Sequence, residues 1–101
     1  MDFRVNVGGT PSSGTGPSFG HTTGSSIDKY VYIEASGSCE NLNSELYSPC
    51  FDLRQVLHPV AKIWRHMNGT EMGDLHFDVF AFGKWNLDVL PMVSGNQGSL
   101  W

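Results

Sequence analysis

Hydrophobic and polar residues alternate along three stretches of the chain, which is the pattern of half-buried β-strands. The stretches are KYVYIEAS (29–36), VAKIWRHM (60–67) and LHFDVFAF (75–82), and each contains β-branched or aromatic residues. Gly83-Lys84 follows the third stretch and leads into WNLDVLPM (85–92). A short glycine-containing turn between two strand-like runs predicts a β-hairpin in this part of the chain.

Turn-forming residues separate these stretches. Residues 8–26 are rich in Gly, Pro, Ser and Thr, and residues 37–44 form a polar connection. ELYSPCF (45–51) is a candidate second strand, with its proline at an end or an edge because proline cannot donate to a ladder. DLRQVLHP (52–59) predicts either a short helical turn capped by Asp52 or a loop. Short strands, frequent turns and no convincing helix predict an all-β fold, an antiparallel sandwich or barrel.

Composition indicates one globular domain with a modest core. The chain has 101 residues, of which 40% are hydrophobic and 12% aromatic, and a chain of this size is a natural single domain. Its net charge is −4 and its six Lys and Arg residues are scattered. This distribution argues against nucleic-acid binding and against a basic amphipathic helix at a membrane surface. No apolar run reaches the roughly 18 residues that a membrane-spanning helix needs.

The motifs of common active sites are missing from the sequence. GTGPSFGHTTG (14–24) is glycine-rich, but it lacks the lysine of a phosphate-binding P-loop, and Phe19 stands where a dinucleotide-binding loop needs its third glycine. The sequence has no His-Glu-x-x-His motif and no strand-turn-helix unit of the kind that a nucleophile elbow requires. Histidines and carboxylates on neighbouring strands could still meet, and the candidates are His66, His76, Asp74, Asp78 and Asp88. We expect no catalytic residue, no metal site and no cofactor.

Two further signals are open to two interpretations each. Cys39 and Cys50 are eleven residues apart and belong to no Cys-x-x-Cys motif. They form either a disulfide, which would stabilise the fold by roughly 3 kcal/mol in the chain-entropy model, or two unrelated thiols. Asn68-Gly69-Thr70 matches a glycosylation sequon, but an Asn-Gly hairpin turn is the better interpretation.

Five segments, in order along the chain, resemble the MAM domain, an extracellular adhesion and recognition module. GTGPSFGHTTG resembles the family's TGPxxDHTxG loop, and YVYIEAS resembles the strand that follows it. LYSPCFDL resembles LxSPxFDL, and IWRHMNGTEMGDLHFDV resembles FWYHMYGxxMGxLxV. SGNQGSLW resembles SGxQGxxW. Each match is weak alone, but five in the same order are specific, and they cover most of residues 14–101.

The resemblance implies a single, partial MAM-like β-sandwich of jelly-roll type over residues 1–101, with residues 8–26 as an ordered loop region. It implies a non-catalytic extracellular module, secreted or at the cell surface, that binds a protein partner or a second copy of itself without inserting into a membrane. Carbohydrate binding by a jelly-roll module of a secreted enzyme is the alternative. Trp64 and Trp85 are the candidate binding residues, since large rigid side chains dominate interface energetics. Pairing of Cys39 with Cys50 is what bacterial-looking members suggest.

The chain departs from the family pattern in several places. Gly20 replaces the acid of the DHT motif, which puts a family cation site in doubt. Arg65 replaces a tyrosine, and Ala61 replaces a cysteine. The C-terminal strands that complete the two sheets of a MAM domain have no counterpart in the sequence. We therefore expect unpaired strand edges and exposed apolar surface, in either a fragment or a chain that associates with itself.

Overall fold

The computed structural model describes residues 2–35, 37–39 and 41–101, with Cys39 described by its backbone only. Its regular elements are short and come in the order β1, β2, one 3-10 turn, β3, β4, β5 and β6. Their bounds are Arg4–Asn6, Tyr30–Tyr32, Gly37–Cys39 (the 3-10 turn), Asp74–Leu75, Val79–Ala81, Lys84–Asn86 and Val93–Ser94. No α-helix occurs in the part of the chain that the structure describes. The prediction of an all-β fold is confirmed.

The strands pair into three antiparallel two-stranded sheets: β1 with β2, β3 with β6, and β4 with β5. In the first sheet Val5 lies opposite Val31. Sequence analysis did not predict β1, because its partner β2 lies at least 24 residues away along the chain. β2 ends at Tyr32, earlier than the alternation of 29–36 predicts. Antiparallel pairing agrees with the predicted topology, and the jelly-roll sandwich stays a prediction.

The predicted hairpin is present as β4 and β5, but its turn lies one residue earlier than expected. Phe82 and Gly83 form the two-residue loop, with φ angles of 55° and 77°, whereas the sequence pattern suggested Gly83-Lys84. Positive φ at both positions is the geometry that suits the twist of a hairpin. Ala81 therefore pairs with Lys84, and Phe80 pairs with Trp85. Phe82 is an unusual residue for such a position, which favours Asn, Asp and Gly.

The pairing of β3 with β6 continues beyond the two strands as a longer ribbon. The Gly95 N–H donates to the Gly73 carbonyl at 3.1 Å, and the Gln97 N–H donates to the Met67 carbonyl at 2.7 Å. On the other side, the Gly16 N–H donates to the Asn68 carbonyl at 3.3 Å. Residues 67–68 thus lie between the glycine-rich loop and the C-terminal tail. Asn68 is engaged here rather than in the expected Asn-Gly hairpin turn.

Two stretches with strand-like sequences form no strand. Residues 45–51 and 60–67 have no ladder in the structure, so the strand predictions there are corrected. The physical reason is that a strand needs a partner for its backbone groups, and in these two stretches only the Met67 carbonyl forms a backbone hydrogen bond to another described segment. Between them, the Val56 N–H donates to the Leu53 carbonyl at 3.0 Å, and the Asp52 carboxylate accepts from the Arg54 N–H at 3.1 Å. This is a single capped turn, close to the first of the two alternatives for 52–59.

Little of the described chain is buried. Tyr30 and Met67, each 8% exposed, are the buried hydrophobic residues of the described part. The accessible surface is 8190 Å², against about 5,700 Å² for a typical folded monomer of this mass. The radius of gyration is 15.1 Å, against about 12.7 Å for a compact domain of this length. The described chain therefore exposes roughly 2,500 Å² more total surface than a typical folded monomer of this mass. Exposed large hydrophobic residues are part of this surface, as expected.

Candidate functional site

Five rings form an aromatic cluster, here defined as His21, Tyr30, Trp64, His66 and Trp101. His21 stacks on Trp64 with ring centroids 4.3 Å apart and planes inclined by 30°. Trp101 meets His66 edge-on at 5.4 Å and Tyr30 at 5.8 Å. Edge-on and offset geometries are those that aromatic quadrupoles favour. The cluster joins four segments that are far apart in sequence.

Trp101 holds the C-terminal tail against the glycine-rich loop. Its indole N–H donates to the Phe19 carbonyl at 2.8 Å, and the neighbouring Ser99 carbonyl lies 3.0 Å from His66 Nε2. One open cleft of about 290 Å³ lies between Trp101 and residues 14–19. A second, of about 230 Å³, lies between Trp101, Trp64 and Lys29. Both clefts are small and shallow, so they suit a side chain better than a large ligand.

The glycine-rich loop is fixed by backbone and carboxylate contacts. The Asp28 carboxylate accepts from both the N–H and the hydroxyl of Thr23, and these hydrogen bonds lower the pKa of Asp28 below its ordinary value. Tyr30 Oη donates to the Gly8 carbonyl at 2.6 Å and accepts from Asn6 Nδ2 at 3.0 Å. The start of the loop region is thereby tied to the β1–β2 sheet, and its end is held by Asp28, which precedes β2.

Gly20 occupies a position that has no room for a side chain. A Cβ at Gly20 would collide with the Cβ of Asp28. The acidic residue that the family loop carries at this position could therefore not be accommodated here without moving the backbone. The departure noted in the sequence thus has a packing reason. In the part of the chain that the structure describes, no group of three His, Cys, Asp or Glu residues is placed to hold a metal ion.

Trp85 belongs to a second group of rings on the β4–β5 hairpin. It meets Phe80 across the strands at 5.4 Å and Tyr47 at 5.9 Å, with ring planes inclined by 62° and 63°. Tyr47 donates its hydroxyl hydrogen to Glu45, and this contact raises the pKa of the Tyr47 phenol. Trp64 and Trp85, which are 49% and 50% exposed, therefore have separate ring partners.

Ten of the 24 exposed large hydrophobic residues of the described chain lie on residues 42–64, here called the apolar segment. Its large apolar side chains are all at least 48% exposed, and Leu57 reaches 88%. An apolar surface of this size is typical of an interaction site. Its members are Leu42, Leu46, Tyr47, Phe51, Leu53, Val56, Leu57, Val60, Ile63 and Trp64.

The histidine and carboxylate candidates do not all converge. His76 Nδ1 lies 2.7 Å from Asp88 Oδ1, and this hydrogen bond, aided by the charges of Asp88, Asp74 and Asp78, raises the pKa of His76 above its ordinary value. His66 instead lies in the aromatic cluster, where its Nε2 faces Ser99. All the groups around His76 are exposed. They form a surface charge network rather than a pocket.

The cysteine pairing stays a prediction. Cys50 is an exposed, free thiol in the structure. The side chain of Cys39 lies outside the described residues, so the geometry of the proposed pair cannot be read from both partners.

Sequence reasoning singled out Trp64 and Trp85, but it missed Trp101, His21 and Tyr30. Trp101 is the residue that connects the most segments of the aromatic cluster. Its signal was its place at the end of the SGNQGSLW segment, one of the five family-like motifs. Tyr30 was recognised only as a strand residue, because its long-range hydrogen bonds to residues 6 and 8 leave no local pattern.

A known protein is similar to this chain in amino-acid sequence. The chain is 34% identical over 101 aligned residues to Neuropilin-1a of Danio rerio, and the match covers 98% of this chain. It spans 11% of that relative's length. No family model matches the chain, and no solved structure matches it with significance. This similarity does not support the expected resemblance to bacterial-looking members of the MAM family. Among the described residues, no helix is long and apolar enough to cross a membrane.

Proposed function

We propose that this chain is a non-catalytic, extracellular, MAM-like module that binds another protein. Its similarity to Neuropilin-1a supports this proposal, because neuropilins contain MAM domains. The order of the five family-like segments is independent support. The observation that carries the proposal is the apolar segment: residues 42–64 expose large side chains that a soluble monomer ordinarily buries.

The size of this surface fits a protein partner better than a small ligand. The apolar segment presents ten exposed large side chains, and a standard protein interface is a broad surface of roughly 800 Å² per partner. The two clefts beside Trp101, of about 290 and 230 Å³, lie at or below the lower end of the usual range for small-molecule sites.

The proposal is tested by surface plasmon resonance of the immobilised chain against a panel of purified extracellular proteins. We expect at least one partner to bind reversibly at micromolar or lower concentration. The variant Leu57→Ser/Val60→Ser should weaken that binding tenfold or more, because both side chains are largely exposed and apolar. Phe82→Ser, which removes an equally exposed ring on the hairpin, is the matched control. Equal loss in the two variants would contradict the proposal.

Self-association is the second form that protein binding could take, and light scattering on the same samples separates the two. A monomer that binds a panel member supports a partner in trans. A dimer that dissociates in Leu57→Ser/Val60→Ser supports association between copies.

Carbohydrate binding has less support in the ring geometry. Sugar faces stack on flat, exposed aromatic platforms, whereas the rings around Trp85 are inclined by 62° and 63° to one another. A glycan array probed with the chain and with Trp85→Ala tests this alternative. Glycan binding at millimolar concentration that disappears in the variant would favour it.

A further inference from the structure

The last residues of the apolar segment come just before a short stretch that is hydrogen-bonded to two other parts of the chain. Residues 59–68 run without a turn or bend. At 66–68 this stretch is held on both sides, by Gln97 and Ser99 on one and by Gly16 on the other. Upstream, the backbone groups of residues 60–65 make no hydrogen bond within the described chain. The ribbon therefore leads directly into an unpaired template for another strand.

The side chains of this stretch are exposed on both faces. Val60, Ile63 and Trp64 are 77%, 60% and 49% exposed. In an extended stretch Lys62 would share one face with Val60 and Trp64, and Arg65 would share the other with Ile63. Unpaired backbone groups would give an added strand its affinity, and the side chains on either face would give it specificity.

Charge indicates which strand fits. Residues 53–66 contain three of the six Lys and Arg residues and none of the ten acidic residues. The Arg54 guanidinium forms an ion pair with the Asp52 carboxylate, at 2.7 Å between nitrogen and oxygen. Lys62 and Arg65 form no ion pair with any described residue. Two free cations therefore lie three positions apart on the unpaired stretch.

A second copy of the same stretch is a poor occupant. Parallel in-register pairing of 60–65 with itself would place each base opposite its copy, and like charges across strands destabilise a sheet. Antiparallel pairing over the full stretch would place Lys62 opposite Ile63 and Arg65 opposite Val60, which leaves both bases without an acidic partner. An acidic strand removes this repulsion. Opposite Lys62 and Arg65 it would place two acids three residues apart, with two apolar residues between them opposite Ile63 and Trp64. This spacing holds for parallel and antiparallel pairing alike.

We propose that residues 60–65 accept an extended strand of a partner protein with the pattern acid–apolar–apolar–acid. This inference rests on the proposed function and deepens it, since it states the mode of binding and the partner's chemistry. The strand would extend the ribbon that ends at His66 and cover part of the apolar segment.

The test measures fluorescence anisotropy of labelled peptides titrated with the whole chain. The probe is the capped peptide Thr-Glu-Val-Ile-Glu-Val-Thr. One control replaces both glutamates with lysine, and a second carries N-methyl groups on all of its backbone amides, which removes the donors of both strand edges without changing charge. We expect the probe to bind at least tenfold more tightly than either control, and its affinity to fall as salt rises.

Three variants of the chain locate the site. Ile63→Pro should lose binding tenfold or more, because proline removes a donor and disfavours ladder pairing; circular dichroism confirms that the fold is retained. Lys62→Glu/Arg65→Glu should reverse the preference toward the lysine peptide. Lys84→Glu, on the hairpin, should change affinity less than twofold. Equal binding of the probe and its N-methylated form, or unchanged binding by Ile63→Pro, would overturn the proposal.

Failure here and failure of the proposed function give different results. If a panel protein binds Ile63→Pro as tightly as it binds the original chain, the protein-binding function is supported and strand addition at residues 60–65 is refuted. If the chain forms a dimer that Ile63→Pro abolishes, a second copy occupies residues 60–65, and the proposal of an acidic partner strand is refuted.

Discussion

Replacing Trp101 with alanine should destabilise the fold more than the same truncation of Trp85. Trp101 is half-buried, contacts the rings of Tyr30 and His66, and donates its indole hydrogen to the Phe19 carbonyl. Truncation would therefore release the C-terminal tail, the glycine-rich loop and the β1–β2 sheet from one another at the same time.

The magnitude follows from burial and from the lost hydrogen bond. Truncating a fully buried tryptophan costs about 3–5 kcal/mol, and a half-buried ring loses roughly 2 kcal/mol of this. The indole hydrogen bond adds about 1 kcal/mol. A total of about 3 kcal/mol should lower the melting temperature by roughly 12–20 °C in a domain of this size.

Urea unfolding followed by far-ultraviolet circular dichroism measures this loss without relying on tryptophan fluorescence. Trp101→Phe, which keeps a ring but not the N–H, should lose roughly 1–2 kcal/mol. Trp85→Ala, on the hairpin, is the matched control and should lose about 1 kcal/mol, in keeping with its two edge-on ring contacts. A loss below about 1 kcal/mol for Trp101→Ala, or equal losses for Trp101 and Trp85, would refute the reasoning.

Three further predictions concern local contacts. Phe82→Asn should raise the melting temperature by a few degrees, because Asn tolerates the positive φ of the hairpin loop at lower cost; a lower melting temperature would contradict this. Asp88→Asn should return the pKa of His76 toward 6.5 in an NMR titration, and in the parent chain the stabilisation from this pair should be complete below pH 6.5 and decline as pH rises through the raised pKa. An unchanged His76 titration would refute the assigned contact. The stabilisation from Asp28 depends on pH in the opposite direction: it should be present above pH 3.8 and be lost as pH falls through the lowered pKa. In Thr23→Val, whose side chain cannot donate a hydrogen bond, the pKa of Asp28 should rise, and a constant value would contradict the assignment.

The sequence predicted the parts of the fold that depend on local pattern. The β4–β5 hairpin was predictable because its two strands are adjacent and glycine lies in its turn. The shift of that turn from Gly83-Lys84 to Phe82-Gly83 was not, because the pairing of Phe80 with Trp85 sets the register. β1 escaped prediction because its partner, β2, is 24 residues or more away along the chain.

The failed strand prediction at 60–67 has a different cause. The stretch has no turn or bend, but a strand also requires a neighbour to complete its ladder. Periodicity reports the side-chain faces of a segment and carries no information about whether another segment lies beside it. The same limit explains why Trp64 could be identified as a candidate from sequence, whereas the convergence of His21 and Trp101 on it could not.

Amide hydrogen exchange of the free chain, with and without the peptide Thr-Glu-Val-Ile-Glu-Val-Thr, tests the central claim most directly. The N–H groups of Gly95 and Gln97 donate to carbonyls of the ribbon and should be protected in both samples. The amides of residues 60–65 should exchange at nearly unprotected rates in the free chain, and those facing the added strand should become protected when the peptide is bound. Protection of 60–65 in the free monomer, or no change on adding saturating peptide, would contradict an unpaired edge that receives a partner's strand.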